Sequence, residues 1–220
     1  MVPHQQQAWV ASLRFDLRGH GGSEGRQEDL TLSAIMNDIK AAAMHVATLG
    51  GDQPVNVVGA SFGGGICGCF AANHPELVRR LVLLNPLLNY KKRFIDDKPY
   101  WHDDILDNDA GRELAERGFL AHSPSFRLGR PLLNEVFYLR PDQEMASIRT
   151  PTLVVHGTKD TFIPVDSSRQ LAEQVPGETR LVEIDGAQHG FAVHDDPQYL
   201  NPQTIQWQTF VIGEIVDWLR

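Results

Sequence analysis

The chain has 220 residues, of which 42% are hydrophobic and 22% are charged, a balance typical of one globular domain. Its formal net charge of −8 argues against a nucleic-acid-binding surface, which would need a basic patch. Every apolar run is shorter than the roughly 20 residues that cross a bilayer. Met1–Ala8 is polar and lacks the layout of a signal peptide, so we expect a cytoplasmic protein without membrane partners.

Predicted strands and helices alternate along most of the chain. Trp9–Asp16 is typical of a buried strand, and a Gly-rich loop follows it. Apolar residues recur at helical spacing over Thr31–Leu49, and Thr31 is a suitable N-cap. The later predicted elements are strand Pro54–Val58, helix Phe62–Asn73, strand Val78–Leu84, strand Pro151–His156, helix Ser167–Gln174, strand Arg180–Ile184 and helix Thr204–Leu219. This alternation predicts an α/β fold with a mostly parallel sheet covered by helices on both faces.

Residues 86–148 interrupt that alternation. They mix aromatic with charged residues and contain short helical pieces at Ala110–Arg117 and Leu132–Phe137. We therefore predict an inserted lid segment between two parts of one core, residues 1–85 and 149–220. Most aromatic side chains of the insertion are expected to pack a small core of its own.

The segment Gly59-Ala60-Ser61-Phe62-Gly63 lies between a predicted strand and a predicted helix. This G-x-S-x-G pattern is typical of a nucleophilic serine held at a tight, strained turn. Small residues at positions 59 and 63 would let the strand and the helix approach closely. The hydroxyl of Ser61 would then stand at the carboxyl edge of the sheet. The N–H of Phe62, at the helix start, could donate to a developing oxyanion.

A serine hydroxyl is a weak nucleophile unless a base takes its proton. Among nine histidines, His189 is the strongest candidate because it follows a predicted strand and lies in a Gly-rich loop. His194 is its nearest rival but lacks the flanking glycines. A carboxylate must orient the base, and Asp160, in a loop after a predicted strand, competes for that role with Asp166 and Asp185.

Four segments, taken in order, carry a clear resemblance: DLRGHGGS at 16–23, GASFGG at 59–64, HGTKDTFIPV at 156–165 and GAQHGF at 186–191. Together they resemble the α/β-hydrolase superfamily, and more narrowly its cinnamoyl/feruloyl-esterase and serine-aminopeptidase-like branch. The resemblance extends from about residue 9 to the end and is weakest in residues 86–148. It implies the chain order Ser, Asp, His, which selects Asp160 as the acid and His189 as the base for Ser61.

Similar proteins begin with two or three further strands and a His-Gly loop that supplies a second oxyanion N–H. One of those strands lies between the counterparts of Trp9–Asp16 and Pro54–Val58. The fold is therefore expected to lack its first strands, and we expect that Met1 is not the natural start. The alternatives are that the two flanking strands pair directly or that another chain supplies the strand.

The resemblance also bears on substrate binding. In the esterase branch the inserted region forms a lid that shapes the acyl or aryl pocket. This makes three aromatic residues of the insertion, Tyr90, Trp101 and Phe137, candidates for substrate binding over Ser61.

The resemblance implies a serine esterase that cleaves carboxylic esters through an acyl-enzyme intermediate. Its partner would be a small-molecule ester, and it would need no metal and no organic cofactor. A thioesterase or a peptidase for small substrates would use the same three residues. The alternative from another class is a non-catalytic binding protein with an incomplete oxyanion hole. The sequence leaves self-association of the chain open.

Two further patterns are not predicted to be sites. The run Gly63–Gly68 matches G-x-G-x-x-G, but Asn85 stands where a dinucleotide-binding fold would place an acid. The glycines instead predict close packing of the helix behind the serine. Cys67 and Cys69 lie two residues apart on a predicted helix, so they point in different directions and predict neither a disulfide nor a metal site.

Overall fold

The computed structural model describes residues 11–220. The strands are, in chain order, β1 (Val55–Ala60), β2 (Val78–Leu84), β3 (Trp101–His102), β4 (Ile105–Leu106), β5 (Phe119–Ser123), β6 (Phe126–Gly129), β7 (Thr152–Gly157) and β8 (Thr179–Ile184). The α-helices are α1 (Leu32–Leu49), α2 (Phe62–Asn73), α3 (Asn108–Arg117), α4 (Arg130–Glu135), α5 (Pro141–Glu144), α6 (Asp166–Gln174) and α7 (Pro202–Leu219). Short 3-10 helices lie at Gln27–Asp29 and Met145–Ser147, and a π-helical turn lies at Lys92–Asp96. None of these helices is both long and apolar enough to cross a bilayer.

Four strands form the main sheet in the order β1-β2-β7-β8, and all three pairings are parallel. Parallel neighbours need a crossover between them, and α2 provides it from β1 to β2. The carboxyl ends of all four strands therefore meet at one edge. The α/β prediction is confirmed, and its element boundaries are correct to within two residues from Thr31 to Leu84 and from Pro151 to Leu219.

The two faces of the sheet bury separate hydrophobic clusters. Along β2, Leu81 and Leu83 join one cluster, which also contains buried residues of α1 and α2. Val82, between them, joins the other cluster with Val211 and Trp218 of α7. Successive side chains of a strand point to opposite faces, so an apolar run in β2 is what a sheet covered on both sides requires.

Helix α1 begins as its sequence predicts. The hydroxyl of Thr31 accepts a hydrogen bond from the N–H of Ala34 at 3.0 Å, which satisfies one of the free donors of the first turn. Ile35, Ile39 and Ala43 lie on the buried face, at helical spacing.

Helix α2 lies so close to its neighbours that several of its positions exclude a side chain. A Cβ at Gly65 would lie 2.2 Å from the carbonyl oxygen of Leu87, and one at Gly59, at the end of β1, would lie 2.7 Å from the carbonyl oxygen of Gly63. The prediction that position 63 also needs a small residue is wrong, because a Cβ there would meet nothing within 4 Å. The close approach occurs one and two residues further along, at Gly64 and Gly65, where α2 packs against the chain after β2.

The prediction of a strand at Trp9–Asp16 is wrong for its described part. Residues 11–16 form no strand and are mostly exposed, while residues 9 and 10 lie outside the described range. A groove of about 560 Å³ lies between this segment and β1, and Val58 of β1 is 48% exposed beside it. Over residues 11–220, β1 is an edge strand and does not pair directly with the segment. Backbone groups that face a groove have no ladder to join, which explains the irregular conformation.

Residues 86–148 add no strand to the main sheet. They form two antiparallel hairpins, β3–β4 and β5–β6, together with α3, α4 and α5. The prediction that this segment packs a core of its own is wrong, because Tyr90 and Phe94 belong to the same hydrophobic cluster as Leu32 and Phe70. The insertion is thus joined to the sheet through shared packing.

We predict that Gly65→Ala lowers the free energy of unfolding by about 1–3 kcal/mol, because the new methyl group would overlap the carbonyl of Leu87. Gly111→Ala in α3 is the matched control, since its Cβ would meet nothing within 4 Å. That control should raise stability by about 0.5–1 kcal/mol through helix propensity. Urea unfolding measures both changes, and equal stabilities for the two variants would contradict the packing argument.

Candidate active site

Ser61 occupies the turn between β1 and α2 in a strained conformation. Its φ of 51° and ψ of −124° are unusual for a residue with a side chain. Three backbone hydrogen bonds of 2.9 Å hold it there: its N–H donates to the carbonyl of Leu84, and its carbonyl accepts from Gly64 and Leu87. The turn therefore places the Ser61 hydroxyl at the carboxyl edge of the sheet.

The ends of β2 and β7 are tied together beside this turn. The side-chain oxygen of Asn85, which is buried directly after β2, accepts a hydrogen bond from the N–H of Gly157 at 2.9 Å. Asn85 adopts a φ of 41°, which lets the chain turn away at the end of the strand. This contact fixes the spacing between the turn that carries Ser61 and the loop that carries Asp160.

His189 contacts both other predicted residues of the site. Its Nε2 lies 3.0 Å from Oγ of Ser61, and its Nδ1 lies 2.6 Å from Oδ2 of Asp160. Because a carboxylate only accepts, Nδ1 carries the proton, and Nε2 is left free to accept from the Ser61 hydroxyl. A positive φ of 74° at Gly190 allows the tight turn that follows the histidine.

Asp160 is the buried anchor of this array. Its Oδ1 accepts the N–H groups of Phe162 at 2.8 Å and Ile163 at 3.0 Å. Burial alone would raise the pKa of the Asp160 carboxyl. The hydrogen bonds from His156, His189 and the backbone outweigh burial and hold that pKa well below its usual range. The carboxylate therefore remains ionised at neutral pH and fixes the orientation of the imidazole.

The rival residues lie apart from this array. His194 is exposed and lies 3.5 Å from the carboxylate of Asp195. Asp166 forms an exposed ion pair with Arg169, and Asp185 accepts a hydrogen bond from the hydroxyl of Thr158. The structure brings together Ser61, His189 and Asp160 and none of their rivals.

His156, at the end of β7, is a supporting residue that the sequence reasoning missed. It is fully buried, and its Nε2 donates to the carbonyl of Ile163 at 2.9 Å while its Nδ1 accepts from the hydroxyl of Ser168 at 2.7 Å. The same Nε2 lies 3.5 Å from Oδ2 of Asp160. The four-residue spacing from His156 to Asp160 could have indicated this contact, because the two residues flank one short turn at the end of a predicted strand.

A cavity of about 230 Å³ opens over Ser61 and His189. Besides these two residues its lining consists of Phe62, Leu87, Arg93, Phe94, His122, Phe126, Phe162 and Ile163. Five of the ten lining residues come from the insertion, so the insertion forms much of the wall that faces Ser61. The wall is mainly aromatic and apolar, which suits an organic ligand with few charged groups.

The three aromatic residues predicted to bind substrate do not line this cavity, so that prediction is corrected. Tyr90 is fully buried, and its hydroxyl donates to the carbonyl of Phe62 at 2.5 Å. Trp101 and Phe137 pack edge to face against each other, with ring centres 5.9 Å apart, at the margin of the cluster. Sequence position within the insertion did not distinguish aromatic residues that support the wall from those that form it.

Two protein-family models match this chain. The family model described as the alpha/beta hydrolase fold matches residues 11–130, more than half of the chain. The chain belongs to the α/β-hydrolase family. A second model, of the dienelactone hydrolase family, matches residues 136–211 of this α/β hydrolase. The superfamily resemblance inferred from the sequence motifs is thereby confirmed.

Two relatives illustrate the range of similar proteins. A 2-hydroxymuconate semialdehyde hydrolase of Pseudomonas putida is 33% identical over 153 residues, which are 57% of this chain and 53% of that protein. The chain thus matches about half the length of that relative. A monoacylglycerol lipase of Mycolicibacterium smegmatis is 28% identical over 224 residues, covering 93% of this chain and 76% of that protein.

Solved structures share the fold at lower identity. Est1E from Butyrivibrio proteoclasticus with ferulic acid bound superposes with a TM-score of 0.69 at 22% identity, covering 91% of this α/β hydrolase and 76% of Est1E. A monoacylglycerol lipase from Paleococcus ferrophilus gives 0.63 at 23% identity, covering 93% and 81%. At these identities the likeness concerns the fold alone.

We predict that wild-type protein and Asp160→Asn differ in the pH dependence of their stability. Because the folded state lowers the pKa of Asp160 below its ordinary value of 3.8, its contribution is complete above that value. As pH falls toward the folded pKa, protonation removes the contribution. The stability advantage of the wild type should therefore be constant between about pH 5 and 7 and shrink below about pH 4.

Urea unfolding across this pH range measures the difference. Asp185→Asn serves as the control, because it removes an exposed acid from the neighbouring loop. A gap between wild type and Asp160→Asn that stayed constant down to pH 2.5 would contradict the assignment.

Proposed function

We propose that this chain is a serine esterase that hydrolyses small carboxylic esters through an acyl-enzyme intermediate. The observation that carries the proposal is the single imidazole of His189, which contacts a serine hydroxyl on one side and a buried carboxylate on the other. That arrangement can take a proton from Ser61 while Asp160 stabilises the resulting imidazolium.

The proposed reaction has two halves. His189 takes the proton of Ser61 as Oγ bonds to the ester carbonyl carbon, and it returns that proton to the leaving alcohol when the C–O bond breaks. A water molecule then gives a proton to His189 as its oxygen bonds to the acyl carbon. The bond from that carbon to Oγ breaks, His189 passes the proton to Oγ of Ser61, and the acid is released. Asp160 remains a carboxylate throughout.

The start of α2 supports stabilisation of the oxyanion. Phe62 is the first residue of this helix, and N–H groups in a first helical turn have no carbonyl of their own helix to bond. The positive end of the helix dipole also lies there. We propose that the N–H of Phe62 donates to the oxyanion that forms when Ser61 attacks.

The cavity supports a small organic substrate. Its volume of about 230 Å³ and its rings Phe62, Phe94 and Phe126 would accommodate a short acyl or aryl group next to Ser61. The name of the mycobacterial relative, monoacylglycerol lipase, agrees with ester chemistry in this family. Thioesters and activated amides would meet the same hydroxyl, so relative kcat/KM across matched esters, thioesters and amides identifies the reaction.

We predict that Ser61→Ala reduces turnover of p-nitrophenyl esters by at least about a thousandfold, because the acyl-enzyme cannot form. A fluorophosphonate probe should label the wild type at Ser61 and leave the variant unlabelled. Ser147→Ala, which alters an exposed serine outside the cavity, should keep both the rate and the labelling.

Two results would overturn the proposal. One is a Ser61→Ala variant that retains the wild-type rate, and the other is a probe that reacts at another serine. A protein that binds esters in this cavity but turns none over would instead fit the non-catalytic alternative.

A further inference from the structure

The cavity over Ser61 contains one cation without a counter-charge. Arg93 lines the wall, and across residues 11–220 its guanidinium forms no ion pair and no side-chain hydrogen bond. Its chain neighbours differ, since Lys91 pairs with Asp96 at 2.6 Å and Lys92 pairs with Asp97 at 2.5 Å. In a chain with a net charge of −8, acids neutralise these two lysines but leave the arginine in the cavity unpaired.

The same wall holds a polar atom without a partner. Nδ1 of His122 is buried and makes no hydrogen bond within the described part of the chain, although His122 lines the cavity. Burial and the nearby charges of Lys98 and Arg93 lower the pKa of His122 to about 4, so its ring is neutral at pH 7.

The remaining wall adds no negative charge. Its other members are Ser61, His189 and apolar residues, and no Asp or Glu is among the lining residues that the structure describes. The rings of Phe94 and Phe126 pack edge to face against the ring of His122, with centres 5.2 Å and 5.8 Å apart. Apolar surroundings strengthen the Coulombic attraction between Arg93 and an anionic ligand.

We propose that this cavity selects half-esters of dicarboxylic acids, with the free carboxylate paired to Arg93 while the ester carbonyl meets Ser61. The inference deepens the proposed function and rests on it. Arginine binds carboxylates with two parallel N–H groups, and the neutral ring of His122 adds no competing charge beside it. Arg93 is the one Lys or Arg among the described lining residues, and its single charge matches a carboxylate better than the nearly double charge of a phosphate monoester. Hydrolysis consumes one water and releases the dicarboxylate and the alcohol.

The kinetic test uses monomethyl esters of straight-chain diacids with four to eight carbons. Each is paired with the methyl ester of the monocarboxylic acid of equal length, and methanol release gives kcat/KM. We expect the best half-ester to exceed its neutral partner by about ten- to a hundredfold, as a charge-assisted hydrogen bond would give. Arg93→Met should abolish this preference, and Arg93→Lys should retain part of it.

Lys92→Met is the matched control, because it removes an adjacent cation that is paired outside the cavity. It should keep the wild-type preference. The inference is overturned if the wild type prefers neutral esters or if Arg93→Met keeps the preference for half-esters. Thermal unfolding of Arg93→Met shows whether the variant is folded. If it is not, the preference for half-esters is measured on Arg93→Lys instead.

A binding measurement separates this inference from the proposed function. In Ser61→Ala, calorimetry should show the best half-ester binding at least about tenfold more tightly than its neutral partner, and adding Arg93→Met should remove the difference. Equal binding of the two ligands overturns the inference even if the wild type hydrolyses esters. Tighter binding of the half-ester to a protein that hydrolyses no ester would uphold carboxylate recognition and overturn the proposed function.

Discussion

The buried carboxylate of Asp160 is the constraint on which the candidate active site depends. An ionised group in this position is stable only because backbone N–H groups and two histidines surround it. The same contacts leave one oxygen for Nδ1 of His189, which fixes the proton on that nitrogen. The free Nε2 then faces Ser61, so the orientation of the base follows from how the acid is satisfied.

A second constraint joins this chemistry to the cavity wall. Gly65 lets α2 approach the chain after β2, and Tyr90 of the insertion then reaches the carbonyl of Phe62. The ring of Phe62 stacks on that of Tyr90, with centres 5.0 Å apart, and lines the cavity on its other side. Packing of the insertion and placement of the turn at Ser61 therefore depend on the same close contact.

The sequence pattern correctly predicted the elements that are determined by interactions between residues close together in the chain. Helix α2 has the predicted boundaries because a serine turn precedes an apolar run, and Thr31 caps α1 because its side chain bonds within one turn. The prediction of a strand was wrong over residues 11–16, because strands need hydrogen-bonding neighbours, which a single segment does not reveal. The prediction of the aromatic residues in the cavity wall was wrong for a related reason. Phe62, Phe94 and their neighbours come from separate segments, and only tertiary packing decides which ring faces Ser61.

The candidate active-site residues and part of the cavity wall come from different parts of the chain. Ser61, Asp160 and His189 stand on loops at the carboxyl edge of the sheet, whereas Arg93 and His122 belong to the insertion. Because neither Arg93 nor His122 hydrogen-bonds to those three residues, replacing them changes the charge of the wall without altering the contacts of His189. An uncharged residue at position 93 would leave the described lining without Lys, Arg, Asp or Glu, which would suit neutral esters. If the cavity binds half-esters as proposed, Arg93, and not the geometry of Ser61, His189 and Asp160, decides between acidic and neutral esters.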